Sequence, residues 1–379
     1  MQNRYNILIM IKFLYKNILK PILFLFPADD VHTFFLKTGN FFGKYDFIKS
    51  FLKKTLVYKN PSLNQQVSDV NFSNPVGLAA GFDYDADLIE ILPSVGFGFH
   101  TIGTVTNLPY EGNPRPMLGR LPKSKSLIVN KGFKSNGVIS VLNKISKRKG
   151  DIPLGISIGS TNKIYNNIEG MIEDIYLSFG KVLENSNFDY FELNISCPNL
   201  INVQNLKDKF DDPIGLGLLL NKLSFLKIDR PLFIKMYLEK SIEDTLVLCE
   251  VASAYKWVNG FIFSNLAKDR TNPSFDKDEI ENAGKGNFSG KPTQELSNNL
   301  ISAVYKKYKD RFIIIGCGGI FNGTDAYEKI KRGATLLQMI TGMIYEGPSQ
   351  IGNINKELVK FIKKDGYKNI SDAIGKYHI

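Results

Sequence analysis

Residues 190–200 read YFELNISCPNL. A run of strand-type residues ends at Asn194, and a thiol, Cys197, then stands between two amides, Asn194 and Asn199. The first half is short and almost continuously apolar, the pattern of a parallel strand buried on both faces. Seven segments of the same kind accompany it: PVGLAA (75–80), FHTIGTV (99–105), LGISIG (154–159), PLFIKMY (231–237), GFIFSN (260–265), FIIIGCG (312–318) and TLLQMIT (335–341). Each gap has room for a helix, as over 162–185, 213–225, 240–256, 293–309 and 322–332. Eight alternating units of one type predict an α/β fold, a closed (β/α)8 TIM barrel; a doubly wound sheet does not need eight strands of one kind.

In such a barrel the chemistry sits at the C-terminal strand ends. Those ends hold Ala79, Ala80, Gly81, Thr104, Ser157, Asn194 to Asn199, Lys235, Ser264, Asn265, Gly318, Gly319 and Thr341. Neutral hydrogen-bonding groups with one Lys and one Cys suit a flat heterocycle with imide and amide edges. Neither a pair of glycosidase carboxylates nor a Ser/His/Asp triad is in sight. The glycines of GCGG (316–319) and ITG (340–342) follow strands seven and eight, the usual phosphate site of the fold, where backbone N–H groups cradle the anion. Lys235, ending strand five, needs an anionic partner if buried. A reduced flavin, negative on its N1 side, is one such partner, and a structural ion pair is the other. An isolated SCPN is ordinarily an inert buried Cys beside a turn; its place at a strand end gives it chemistry.

The composition narrows the class. At 379 residues with 43% hydrophobic content, the chain can bury one large core or two ordinary ones. Cys197, Cys249 and Cys317 are odd in number and lack C-x-x-C spacing, which argues against a disulfide framework or zinc cluster. With only His32, His100 and His378 available, no metal centre is expected. The net charge of +11 comes without basic runs interleaved with aromatics, so nucleic acid is not expected as a partner. Residues 1–54 hold nine Lys or Arg against three Asp. Within them Lys12, Lys16 and Lys20 recur every fourth position on one helical face, with Ile, Leu and Phe around the rest. The lysines and Pro21 interrupt the apolar run short of the roughly 20 residues a spanning helix needs, and no small-residue cleavage site follows. Two readings stay open: an amphipathic segment lying on a membrane, or helices docked on the protein's own core.

A set of motifs then adds a resemblance. NPVGLAAGFD (74–83), GFGFHTIGTVT (96–106), GNPRPMLGRLP (112–122), NISCPN (194–199), FSGKP (288–292), IIGCGGIFNGTDAYEKIKRGATLLQ (314–338) and YEGP (345–348) occur in order. From about residue 28 onward the chain resembles the quinone-dependent (class 2) dihydroorotate dehydrogenases. The resemblance implies an FMN-containing barrel over 55–379 and an N-terminal helical segment over 1–54 that admits quinone from the membrane. It implies oxidation of (S)-dihydroorotate to orotate in pyrimidine (UMP) synthesis. The implied setting is the cytoplasmic face of a bacterial inner membrane, or the mitochondrial inner membrane in a eukaryote. Carried over by position, Cys197 is the base. Ala80, Gly81, Thr104, Ser157, Asn194, Lys235, Ser264, Gly290, Gly319 and Thr341 contact FMN. Asn194, Asn199, Asn265, Gly132 and Phe133 hold the substrate, and Arg120 lies toward the quinone.

The chain also departs from this pattern. Cys197 stands where class 2 members usually carry Ser. Tyr84 replaces a Lys that meets substrate and flavin, and IVNKGF (128–133) puts Val129 at the position of a substrate Asn and Lys131 at that of a Met. Leu266 replaces a Thr, Ser157 an Asn, and Ile340 a Tyr. Two accounts fit: a diverged dihydroorotate dehydrogenase with Lys131 or Lys134 supplying the missing cation, or a diverged FMN oxidoreductase of the same fold acting on another cyclic amide or enone. A catalytically dead barrel kept at a membrane is disfavoured by the intact Asn194, Cys197, Asn199 and Lys235.

Overall fold

A computed structural model describes residues 2–145, 151–185, 187–200, 209–263 and 265–378. Eight parallel strands close into a barrel: β1 Val76–Leu78, β2 Phe99–Val105, β3 Leu154–Ile158, β4 Tyr190–Asn194, β5 Leu232–Lys235, β6 Val258–Phe263, β7 Ile313–Cys317 and β8 Leu336–Met339. Each pairs with its successor, and β8 returns to β1 with Leu337 opposite Val76 and Met339 opposite Leu78. Seven of the eight apolar segments singled out in the sequence contain one of these strands, and the eighth, 260–265, overlaps Val258–Phe263, which starts two residues earlier. Outside them lie Ile168–Leu183, Pro213–Leu223, Ile242–Ser253, Gln294–Tyr308 and Gly323–Lys331, each within an interval expected to be helical. Four of these helices start on a polar cap: the side chains of Asn167, Asp212, Ser241 and Asn322 accept first-turn backbone N–H groups that would otherwise lack partners.

The barrel interior is layered. At its N-terminal end Phe99, Tyr190, Phe233, Ile262, Ile315 and Leu336 pack with Val67 and Phe72. The last two belong to a hairpin, Gln65–Val67 with Val70–Phe72, that plugs the barrel floor. Ser68 and Asp69 both have positive φ at its tip, which suits the twist of a two-residue hairpin loop. Next comes a buried polar layer. Glu192 Oε1 accepts from Thr101 Oγ1 at 2.7 Å and from Gln338 Nε2 at 2.6 Å. Burial raises the Glu192 carboxyl above its usual range, against the pull of the Lys235 charge. Lys235 itself lies one layer nearer the C-terminal end, in register with Asn194.

A second sheet, antiparallel, joins Leu118–Leu121, Ser126–Val129 and Asn287–Gly290. It contributes Leu118, Arg120, Val129 and Gly290 to the same cavity as the ends of β4 and β5. Among the described residues no helix is long and apolar enough to cross a membrane.

The N-terminal segment is helical, as expected. Gln2–Leu14 continues through a π-helical turn, Tyr15–Leu19, into Lys20–Phe24; Ala28–Gly43 and Asp46–Leu56 follow. The lysine stripe is real, but it faces inward. Lys12 Nζ and Lys16 Nζ lie 3.1 and 3.0 Å from Glu346 Oε2. Lys12 also donates to Gln350 Oε1 at 2.8 Å, Lys20 to the Tyr345 carbonyl at 3.3 Å, and Tyr15 Oη to the Ile344 carbonyl at 2.6 Å. The first helix thus docks through its polar face, while Leu25, Phe13 and Ile22 are 82%, 61% and 50% exposed.

Burial alone would raise the Glu346 carboxyl, but hydrogen bonds and charge from Lys16 and Lys12 outweigh it and hold the group below its usual value. This anchoring is therefore complete above the ordinary Glu pKa of about 4.3 and is lost as the pH falls further. Because both lysines are partly solvated, Glu346→Gln is expected to cost only about 1 kcal/mol. Faster proteolysis within residues 2–24 at neutral pH, matched by wild type only in acid, is the expected result.

Candidate active site

A cavity of about 550 Å3 opens at the C-terminal end of the barrel, within the usual range for ligand sites. Strand ends supply Ala80, Gly81, Thr104, Asn194, Cys197, Lys235, Asn265, Gly319 and Thr341 to its wall. The antiparallel sheet and the loop after it supply Arg120, Gly290, Lys131, Gly132 and Phe133, and Asn199 lies beside them. The sequence-expected residues therefore converge, with two qualifications. Ser157 is fully buried behind the wall, where its hydroxyl meets Thr104 Oγ1 at 3.0 Å; it supports a cavity residue and does not line the cavity. Ser264 lies outside the described residues.

The amides are held by their own hydrogen bonds. Asn194 Nδ2 donates to Thr104 Oγ1 at 2.8 Å. Asn199 Nδ2 donates to the Val129 carbonyl at 3.0 Å, and its Oδ1 accepts from Asn287. Asn265 Nδ2 donates to Ser196 Oγ at 2.8 Å. Fixed in this way, they form a preorganised polar rim around Cys197. Burial pushes the Cys197 thiol up to about 11, partly offset by the Asn199 backbone N–H and by the charges of Lys235 and Lys268.

Lys235 is buried and makes no hydrogen bond or ion pair among the described residues. Gly290, Gly318 and Gly319 hold positive φ, and a side chain at Gly290 would run into the Lys125 carbonyl. Ser289 Oγ and Thr341 Oγ1 meet at 2.8 Å beside these turns. Close-approaching glycine backbone, hydroxyls and a buried lysine without an ion pair fit a flat heterocycle that carries a phosphate.

Further along the cavity the wall becomes aromatic. Arg120 donates to the Phe26 carbonyl at 2.7 Å, and its guanidinium lies 4.6 Å from the Phe24 ring centre. His32, from the helix Ala28–Gly43, packs edge-on to Phe82 and Tyr84 and reaches the Phe82 carbonyl through Nε2 at 2.8 Å. Burial, with the Lys131 charge adding, pushes His32 down to about 3, so its ring is neutral. Neither His32 nor Glu192 stands out in the sequence as a site residue. The His signal is the single imidazole of the helix Ala28–Gly43; Glu192 reads locally as part of a strand.

A family model described as dihydroorotate dehydrogenase matches residues 62–362. The chain belongs to the dihydroorotate dehydrogenase family. The dihydroorotate dehydrogenase (quinone) of Christiangramia forsetii is 36% identical over 351 residues, covering 92% of this chain and 99% of that one. That of Roseiflexus sp. is 32% identical over 365 residues, 94% and 97% of the two chains. The mitochondrial dihydroorotate dehydrogenase (quinone) of Oryza sativa subsp. japonica is 32% identical, over 80% of this chain and 69% of its own. Among solved structures, the Eimeria tenella dihydroorotate dehydrogenase in complex with ferulenol superposes with a TM-score of 0.80 at 27% identity, covering 93% of this chain and 96% of that one. The likeness to quinone-dependent dihydroorotate dehydrogenases thus extends over nearly the whole chain.

Proposed function

We propose that this protein oxidises (S)-dihydroorotate to orotate in pyrimidine synthesis, using FMN and passing electrons to a membrane quinone. The observation that carries this reading is the convergence of Cys197 with Asn194, Asn199, Asn265 and Lys235 on one cavity. Cys197 takes the proton from C5 of the ring. The three asparagines hold the imide and amide edges, and Gly132 and Phe133 close over them. When bound, FMN supplies the acceptor for the hydride that leaves C6. Lys235 would supply the positive charge beside the bound cofactor. Ala80, Gly81, Thr104, Asn194, Gly290, Gly319 and Thr341 hold the cofactor, with Ser157 acting through Thr104.

Arg120 lies on the quinone side, where the cavity meets the N-terminal helices. Those helices, residues 1–54 in the division proposed from sequence, rest their exposed apolar side chains on the membrane, while 55–379 form the FMN barrel. The proposed place is peripheral, at the cytoplasmic face of a bacterial inner membrane or at the mitochondrial inner membrane.

The test is anaerobic. The purified protein is expected to be yellow and to bleach on addition of dihydroorotate. A yellow protein that stays yellow would keep the flavin and assign the site to another cyclic amide or enone. A colourless one would remove the flavin.

A further inference from the structure

We propose that Glu192 is a positioning residue that acts through Lys235: it takes up a proton from solvent when the bound flavin is reduced, so that charge arriving in the cavity is balanced from inside the barrel. The inference rests on the proposed function for the flavin and adds a second titrating group to its redox step.

The placement follows from the strand. Side chains two residues apart on a strand share a face, so Glu192 and Asn194 of β4 both point into the barrel. Asn194 pairs in register with Lys235, and both line the cavity. Glu192 stands about 7 Å below them along the strand, fully buried. The layer beneath it is formed by Phe99, Tyr190, Phe233 and Ile262. A carboxylate at this depth is costly unless an opposite charge is close.

The carboxyl is held by one oxygen. Oε1 accepts from Thr101 Oγ1 and Gln338 Nε2, and the Thr101 hydroxyl, having given its only proton, accepts in turn from Tyr190 Oη at 2.7 Å. Oε2 has no hydrogen-bond partner among the described residues. Two donors on one oxygen hold a carboxylate, and the bare second oxygen can receive a proton without either bond breaking.

The groups that face it come from three strands. Lys235, from β5, is buried and makes no hydrogen bond or ion pair among the described residues; its charge favours the carboxylate. Cys317, from β7, stays a neutral thiol, because burial, with the Glu192 charge adding, outweighs the pull of Lys235 and Lys329. Tyr190 lies on the same strand as Glu192. His100 of β2 faces Asp83 instead, and β1, β3 and β6 carry no titratable side chain. Lys235 and Glu192 are thus buried groups of opposite charge on adjacent layers. Burial pushes the Glu192 carboxyl up, and the Lys235 charge, then the bonds from Thr101 and Gln338, oppose it. Negative charge on a cofactor beside Lys235 weakens that opposition, and the carboxyl protonates. The step balances: the hydride from C6 goes to the flavin, the C5 proton to Cys197, and one further proton from water to Glu192 Oε2, which gives it back on reoxidation.

The test is the midpoint potential of the bound flavin, measured electrochemically from about pH 5 to 9 in the holoenzyme, for wild type and for Glu192→Gln, which keeps the oxygen that Thr101 and Gln338 bond. A tenfold change in proton activity is worth about 30 mV per proton in a two-electron couple. The variant is expected to shift by about 30 mV per pH unit near neutrality, and wild type by about 60 mV over a stretch above the ordinary Glu value of about 4.3. Parallel profiles, with or without a fixed offset, overturn the proposal. Should the variant lose its flavin, wild type alone gives a second readout. Reduced by dihydroorotate beside an indicator dye, it is expected to release almost no proton within that stretch, because Glu192 takes up the one that oxidation sets free. Release of a full proton per flavin overturns the proposal as well. A colourless wild type overturns the proposed function, and this assignment with it.

Discussion

Cys197→Ala is expected to retain its flavin and to lose reduction by dihydroorotate by about 10²–10⁴-fold, the usual contribution of a positioned general base. The amides beside it offer no substitute. Asn194, Asn199 and Asn265 do not titrate, and their amides are already oriented by Thr104, Val129 and Ser196. Flavin content should be unaffected, because the glycine turns and Lys235 lie on other strands. The thiol also predicts a pH profile. Burial places it at about 11, so thiolate is scarce at neutral pH and grows about tenfold per pH unit below that value. Rapid-mixing measurements of flavin reduction should therefore climb with that slope from about pH 7 to 10 without levelling. A plateau near pH 8 would mean that bound substrate has already brought the thiol down. Unchanged reduction in the Ala variant would remove Cys197 from the chemistry.

The sequence makes the barrel legible because parallel strands buried on both faces leave an unbroken apolar mark, and because four of the helices between them start on a polar cap. It also makes the strand ends legible, which is why Cys197, Lys235 and the asparagines emerge together. What it hides depends on partners distant in the chain. Leu118–Leu121 and Ser126–Val129 pair with each other locally, but the strand that completes their sheet, Asn287–Gly290, comes from far along the chain. Glu192 sits within an apolar run and shows its role only when Thr101 and Gln338 meet it inside the barrel. Ser157 ends the right strand, but its hydroxyl turns onto Thr104. Periodicity places Lys12, Lys16 and Lys20 on one face; it cannot say that Glu346 is what that face meets.

That last point governs the second large effect. With the lysines occupied by Glu346, Gln350 and the Tyr345 carbonyl, the outward face of the first helix is the apolar one. Phe34, Phe41, Phe47 and Phe51 on the two following helices are exposed as well. Exposed apolar surface on this scale marks a site of contact with a partner or a membrane, and the cavity wall includes Phe24, His32 and Phe35 from the same helices. Replacing Phe13, Ile22 and Leu25 together with Ser removes three side chains that touch neither the cavity nor the lysine contacts. At about 1.5 kcal/mol for each side chain buried in lipid, vesicle partitioning should fall about a thousandfold. Turnover with a membrane quinone should fall with it, while flavin reduction by dihydroorotate stays at the wild-type rate. Retained partitioning would mean that the apolar face meets something other than lipid. Lost partitioning with intact quinone turnover would separate the membrane from the electron path.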